Sequence, residues 1–136
     1  MSTNRNAFDQ AIAAWNAGDL DQYLDLYDES IRLHGYSPEP MSKTEAEAFY
    51  RGLWAALDDL HLHIERVVEQ GDALAVYALM TGTHTGELFG VTGTGTHIQQ
   101  PVMTVLRFDG GRCVERWSVA DTYGVLAQIG ALPQPV

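Results

Sequence analysis

The chain has few cysteines and few basic residues. Its single cysteine, Cys113, excludes an intrachain disulfide and a cysteine-based zinc or iron–sulfur centre. Only 8 of its 136 residues are Lys or Arg, against 18 Asp or Glu, so the formal net charge is -10. This balance argues against nucleic acid or a membrane surface as a partner, because both need basic side chains to neutralise phosphates.

Long hydrophobic runs are also missing from the sequence. No apolar stretch reaches the length needed to span a bilayer, and the first six residues lack the apolar segment of a secretory signal. We therefore expect a cytoplasmic protein. The composition is that of an ordinary globular protein, with 46% hydrophobic and 19% charged residues, and the length predicts one domain over residues 1–136.

The first half of the chain has the periodicity of helices and the second half that of strands. Apolar residues recur at helical spacing in residues 7–17, after Asp19 and after Ser42, and Ser42 and Glu45 form a capping-box pattern. From Leu60 onward apolar and polar residues alternate, which is typical of a strand with one solvated face. The predicted strands are residues 30–36, 60 onward, 73–85, 98–108 and 112–121, followed by a short helix over 122–129.

This order predicts an α+β fold, in which N-terminal helices wrap a curved antiparallel sheet into a cone of the cystatin-like α+β barrel type. Strand 73–85 is apolar on both faces, so we expect it to be central and covered on both sides. Such a cone must fill its interior with side chains or with a ligand. We therefore expect a cavity that holds a small apolar or aromatic molecule.

The last strand contains the candidate catalytic acid. Counting back by twos from Asp121 places Val119, Trp117 and Glu115 on one face. If that face lines the cone, Asp121 lies at the rim of an apolar cavity walled by Trp117, where a carboxylate can take up and return a proton. The alternative is that Asp121 caps the helix that begins at Thr122.

Two histidines lie near the ends of predicted strands, His34 in the early strand and His84 at the end of the central one. A histidine on an apolar face is more often a packed structural residue than a catalyst, so both interpretations stay open. His61 and His63 form an H-x-H pair on the solvated face. No third ligand stands at a suitable spacing, which argues against a metal site.

Residues 82–91, Gly-Thr-His-Thr-Gly-Glu-Leu-Phe-Gly-Val, resemble the central signature of the SnoaL-like polyketide cyclases, also called ester cyclases. The run Val-Glu-Arg-Trp at 114–117, followed by Asp121 and by Gln-Ile-Gly at 128–130, resembles the end of the same family. The opening residues 15–19 and the early His34 are similar to its beginning. The resemblance covers nearly the whole chain and places it in the nuclear-transport-factor-like superfamily.

The resemblance implies a cone with a deep apolar cavity, commonly in a homodimer, and an intramolecular aldol condensation of a polyketide ester that uses no cofactor or metal. The family's acid–base aspartate falls on Asp121, and its pocket histidines fall on His84 and His34. Hydrogen-bond donors would stabilise the enolate that forms. The substrate-binding candidates are Trp117, Tyr36, Trp54, Gln100 and Phe89.

Other functions stay open beside this one. The cone could be a binding module without catalytic activity, in which Asp121 only accepts structural hydrogen bonds. A ketosteroid isomerase-like activity needs a second buried acid or a tyrosine pair in its oxyanion hole, and it is disfavoured because the early strand carries His34 in place of an acid. An epoxide hydrolase-like activity comes last, because Arg116 and Arg107 lack flanking acids in phase.

Overall fold

The helices and strands follow one another in the predicted order in the computed structural model, which describes residues 2–132. The elements are α1 (Thr3–Asn16), α2 (Leu20–Leu24), β1 (Tyr27–His34), α3 (Lys43–Ala56), β2 (Leu57–Gln70), β3 (Ala73–His84), β4 (His97–Asp109), β5 (Arg112–Ala120) and α4 (Thr122–Gln128). Across the described residues, no helix is both long and apolar enough to cross a membrane.

The five strands form one curved sheet in the order β1-β5-β4-β3-β2, with the N-terminal helices packed on one face. Strands β2 to β5 make an antiparallel meander, whereas β1 pairs in parallel with β5. Helices and sheet together close the α+β cone that the sequence predicts.

Short polar side chains begin each N-terminal helix, as their positions in the sequence predict. The side chain of Ser2 accepts a hydrogen bond from the backbone of α1, and Asp19 does the same for α2. Ser42 and Glu45 form both bonds of the capping box at the start of α3. These bonds satisfy backbone N–H groups that have no partner within the helix.

Strand β1 begins earlier than predicted. Helical spacing puts Tyr27 on the apolar stripe of α2, but that helix ends at Leu24, and Tyr27 is the first residue of β1. The backbone of Leu26 accepts a hydrogen bond from Cys113 of β5, and Tyr27 is paired with the same residue. Pairing with a strand from the end of the chain therefore overrides the local periodicity.

The sheet buries only one of its faces. In β3 the inward side chains of Leu74, Val76 and Ala78 are buried, whereas the outward Tyr77 is 40% exposed. The prediction that this strand is covered on both sides is therefore wrong for the protomer. The exposed large side chains of this face, here called the outer apolar face, are Val68, Tyr77, Met103, Val105, Trp117 and Val119.

The thiol of Cys113 is fully buried in β5, and this burial raises its pKa to about 11. Below that pH the group is both protonated and shielded, and thiol reagents attack the thiolate. We expect the folded chain to leave 5,5′-dithiobis(2-nitrobenzoate) unreacted near pH 8, and to release one equivalent of its chromophore after unfolding in guanidinium. Rapid release from the folded protein would contradict this placement.

Candidate functional site

A cavity of about 260 Å³ lies between the helices and the inner face of the sheet. It is smaller than the roughly 300–1,000 Å³ pockets that enclose drug-sized ligands, so it suits a molecule of one or two rings. Aromatic and aliphatic side chains make up most of its wall. The aromatic lining residues are Trp15, Tyr23, Tyr36, Phe49, Tyr50 and Phe89, and the polar ones include Gln100, Arg116, Ser118 and Thr122.

Arg116 brings a positive charge to this apolar wall. Its Nη1 donates hydrogen bonds to the hydroxyl oxygens of Tyr23 at 2.8 Å and Tyr27 at 2.6 Å. Its Nε donates to Thr104 Oγ1 at 2.8 Å and to Ser118 Oγ at 3.2 Å. Side chains from α2, β1, β4 and β5 therefore fix the guanidinium in place.

The hydroxyl groups of four tyrosines continue from this arginine toward the rim of the cavity. We call Tyr23, Tyr27, Tyr50 and Tyr36 the tyrosine cluster. Their hydroxyl oxygens are 3.2 Å apart for Tyr23 and Tyr27, 2.6 Å for Tyr27 and Tyr50, and 2.9 Å for Tyr50 and Tyr36. The cluster thus links α2, β1, α3 and the loop after β1 into one network.

Burial determines the ionisation of this network. It is the largest influence on the hydroxyls of Tyr27 and Tyr50 and raises the pKa of both well above the ordinary value, so both are neutral phenols at physiological pH. Burial also opposes the charge of Arg116, but the surrounding tyrosine oxygens outweigh it and hold the pKa of the guanidinium well above its usual value. The cavity therefore contains a permanent cation among neutral hydroxyls.

Strand β5 turns the opposite face inward from the one assumed in the sequence analysis. Arg116, Ser118 and Ala120 line the cavity, whereas Trp117 lies on the outer apolar face and is 41% exposed. The predicted inward position of Trp117 is therefore wrong. The side chain of Asp121 is exposed and caps α4, since its Oδ1 accepts a hydrogen bond from the backbone N–H of Gly124 at 2.8 Å. The capping alternative is the one that the structure contains.

His34 lies with Trp117 on the outer face and not in the cavity. The two rings are stacked with centroids 5.5 Å apart, and His34 Nε2 is 2.7 Å from Glu115 Oε2. Glu115 also accepts a hydrogen bond from Arg107. The bond to His34 is the main influence that lowers the pKa of Glu115. These residues form a polar group on the side of β5 opposite to Arg116.

His84 is fully buried and acts as an anchor for the loop between β3 and β4. Its Nε2 faces the carbonyl oxygen of Val91 at 3.1 Å, so Nε2 carries a hydrogen and donates it. Its Nδ1 accepts from the backbone N–H of Thr94 at 3.3 Å. The loop fixed in this way carries Phe89, which is half-exposed and lines the cavity. His84 therefore positions one wall without facing the ligand space.

The remaining candidates divide between the cavity and its surroundings. Tyr36, Gln100 and Phe89 belong to the lining. Trp54 packs against Trp15, with ring centroids 4.3 Å apart, and lies behind the wall. The structure therefore brings three of the five predicted substrate-binding residues to the cavity, and none of the three predicted catalytic residues.

The sequence analysis missed the polar centre of the cavity. Tyr23, Tyr27 and Tyr50 are not among its candidate site residues, and Arg116 is named there only within the family signature and as a poor match to epoxide hydrolases. One feature of the sequence predicts a charge in the cavity. Arg116 stands beside Glu115 in a strand, and adjacent side chains of a strand point to opposite faces, so one of these two charges has to face inward. Alternation alone does not say which.

Metal ligands are sparse in the described part of the chain. No group of three or more His, Cys, Asp or Glu side chains is arranged there to hold a metal ion. His61 and His63 are neighbours, with ring centroids 4.4 Å apart, and His63 contacts Thr81 Oγ1 at 3.1 Å.

Replacing His84 with alanine is expected to lower the free energy of unfolding by about 2 to 4 kcal/mol, because it leaves a buried void and unpairs Val91 and Thr94. Urea denaturation measures this change. The exposed His97→Ala is the control and should change stability by less than about 0.5 kcal/mol. A His84→Ala variant with native stability would contradict the anchoring role.

Comparisons with known proteins agree with this architecture. AclR, a proposed hydroxylase from Streptomyces galilaeus, superposes with a TM-score of 0.88 and 29% identity, covering 96% of this chain and 97% of its own. IdmH, a proposed polyketide cyclase from Streptomyces antibioticus, has a TM-score of 0.82 and 25% identity, covering 95% and 99%. A proposed SnoaL-like polyketide cyclase from Jannaschia sp. CCS1 has a TM-score of 0.85 at 24% identity, covering 96% and 94%, and supports the fold alone.

No curated protein gives a match to this chain. A sequence profile described as SnoaL-like polyketide cyclase matches residues 5–129, which is most of its length. With that match and the shared cone, the chain belongs to the SnoaL-like polyketide cyclase family.

Proposed function

We propose that this chain is a cofactor-free, polyketide cyclase-like enzyme that closes a ring of a small polyketide ester by intramolecular aldol condensation. The observation that carries the proposal is the charged guanidinium of Arg116, held among tyrosine hydroxyls in a cavity that is otherwise largely apolar. An aldol reaction develops negative charge on one oxygen, and fixed donors in a water-poor site stabilise that charge most effectively.

The reaction needs a proton acceptor, a stabilised oxygen and a proton donor. A base removes a proton from the carbon flanked by two carbonyl groups, and the electron pair moves onto the carbonyl oxygen near Arg116. The enolate carbon then attacks a second carbonyl carbon of the same molecule, which forms the new carbon–carbon bond and an alkoxide. The protonated base returns its proton to the alkoxide, so no oxidant or reductant is consumed.

Asp121 is our candidate for this acid and base. Its neighbours in sequence, Ala120 and Thr122, both line the cavity, so the carboxylate belongs to a residue at the cavity margin. Reaching the substrate would require the side chain to leave its capping bond to Gly124. Helix α4 has seven residues, and that bond is exposed, so the exchange costs little.

Asp121→Asn tests this role cleanly, because asparagine caps helices as well as aspartate does. We expect the variant to fold normally and to exchange the acidic C–H of a two-ring β-keto ester with heavy water about 100-fold more slowly than the native protein. Proton NMR follows the exchange. Asp19→Asn, the same change at the cap of α2, is the matched control and should exchange at the native rate.

Full exchange activity in Asp121→Asn would remove Asp121 from the mechanism while leaving Arg116 as the polar centre. Loss of activity in both variants would point to a defect of folding, which circular dichroism detects.

A binding module without catalytic activity is the second candidate. The observation that favours it is the absence of Asp, Glu and His from the cavity lining within residues 2–132. Such a protein would bind the same small apolar or aromatic molecule but would leave its acidic C–H unexchanged. Binding of the β-keto ester without exchange by the native chain would select this candidate.

We further propose that the outer apolar face joins two copies of the chain into a homodimer. The face forms a broad groove of about 510 Å³ lined by Tyr77, Met103, Val105, Trp117 and Val119, among others. Apolar patches of this kind rarely stay exposed in soluble monomers. A second copy presents the same face, so the contact can be self-complementary.

Val119 is 76% exposed on this face, and Val119→Asp places a charge within the proposed contact. We expect sedimentation velocity to give a dimer for the native chain and a shift toward monomer for the variant. Gln10→Asp adds the same charge at an exposed position of α1, on the helical side of the sheet, and should leave the dimer intact. A native chain that sediments as a monomer would contradict the proposal.

A further inference from the structure

Arg116 has no counter-ion in the described part of the chain. The salt bridges of residues 2–132 involve other basic groups, and the hydrogen-bond partners of Arg116 are all neutral hydroxyls. Arg116 is partly buried, in the wall of the cavity. A charge withdrawn from water is costly to a protein, and such charges are normally paired with an opposite charge. A ligand bound beside Arg116 can therefore supply the missing negative charge.

The hydrogen-bond directions in the tyrosine cluster add a second donor. Both N–H groups of Arg116 Nη1 are donated, so the hydroxyl oxygens of Tyr23 and Tyr27 accept there. Tyr23 then donates to Tyr27, Tyr27 to Tyr50 and Tyr50 to Tyr36. The opposite direction would leave the buried Tyr23 hydroxyl hydrogen without an acceptor. The free O–H at the end of the chain belongs to Tyr36, in the cavity wall.

The other nitrogen of the guanidinium also remains available. Within residues 2–132, Arg116 Nη2 and the side-chain amide of Gln100 have no hydrogen-bond partner. Among these residues, Trp15 Nε1 is the polar side-chain atom that is both fully enclosed and without a partner. The unpartnered atoms of Arg116 and Gln100 are therefore not fully enclosed, and they keep contact with open space. Arg116 and Gln100 both line the cavity. The cavity therefore offers a ligand the N–H donors of Arg116 Nη2 and the O–H of Tyr36, with the amide of Gln100 adding both a donor and an acceptor.

We infer that the cavity binds its ligand as an oxyanion, an ionised enol or phenol of a one- or two-ring molecule held by Arg116 and Tyr36. A carboxylate presents the same anionic oxygens and is the other source of this chemistry. The inference rests on the proposed function in taking this cavity as the ligand site. It deepens that function, because a site that selects the anion makes the bound substrate more acidic. The proton then leaves to solvent or to a base at the margin.

The first test uses 7-hydroxycoumarin, a two-ring phenol whose neutral and ionised forms absorb at different wavelengths. We expect its pKa to fall by about one unit or more on binding to the native chain, as an adjacent cation lowers the pKa of an acid. One unit corresponds to tenfold tighter binding of the anion than of the neutral phenol. The neutral 7-methoxycoumarin, which has the same rings, should bind at least about tenfold more weakly than the anion.

Variants assign this preference to residues. Arg116→Gln should abolish the pKa shift, and Tyr36→Phe should reduce it while keeping a folded chain. Arg112→Gln removes the same charge from an exposed position of the same strand and should retain the full shift. If Arg116→Gln fails to fold, the Tyr36→Phe variant and the comparison of the two coumarins in the native chain still test whether the cavity prefers the anion.

The second test compares 2-naphthoate with 2-naphthamide, which differ in charge but hardly in shape. A preference for naphthoate as well supports the inference and extends it to carboxylates. A preference for the coumarin anion alone restricts the ligand to enols and phenols. Equal affinity for charged and neutral forms in both pairs, an unchanged pKa of the bound coumarin, or no binding of either anion overturns the inference.

These outcomes are separable from the fate of the proposed enzyme. Selective anion binding without exchange of the β-keto ester would support the inference and remove the catalytic proposal. Exchange at the native rate without any anion preference would support the enzyme and overturn the inference.

Discussion

The interior of the cone depends on the hydrogen bonds that the guanidinium of Arg116 donates. Its partners come from α2, β1, β4 and β5, and the hydroxyl chain extends to α3 and to the loop after β1. The Nε and Nη1 donors of Arg116 are paired with hydroxyl oxygens, which offsets part of the cost of keeping a cation in such an interior. The elements that close the cone are therefore held at distances that fit one side chain, and the cavity is what remains beside it.

The two faces of β5 divide the chemistry of the protein. The inward face presents Arg116 and Ser118 to the cavity, and the outward face presents Glu115 and Trp117 beside His34. Neighbouring residues of β5 thus lie in separate environments. One is the enclosed cavity with its cation, and the other is the broad outer apolar face. The residues of the family signature are contiguous in sequence, but alternate ones lie on opposite faces of the sheet and belong to two separate surfaces.

Local chemistry made the helix starts, the order of elements and the cone predictable, since caps and periodicity act within a few residues. The site was harder to predict. The start of β1 at Tyr27 depends on pairing with Cys113, and the inward face of β5 depends on the whole sheet. Asp121 followed the capping rule, although the family resemblance had favoured a catalytic place for it. Long-range pairing thus decided the start of β1 and the inward face of β5, whereas a local cap decided the place of Asp121.

The parallel pairing of β1 with β5 has a consequence for how the protein is made. Arg116 meets Tyr27 across 89 positions of sequence. A chain emerging from the ribosome can form its helices early, but it cannot assemble the polar centre until β5 has been synthesised. Contacts this distant in sequence slow folding, because the entropy of closing the loop is lost before the contact forms. The polar centre of the cavity therefore forms late, after most of the described residues have been synthesised.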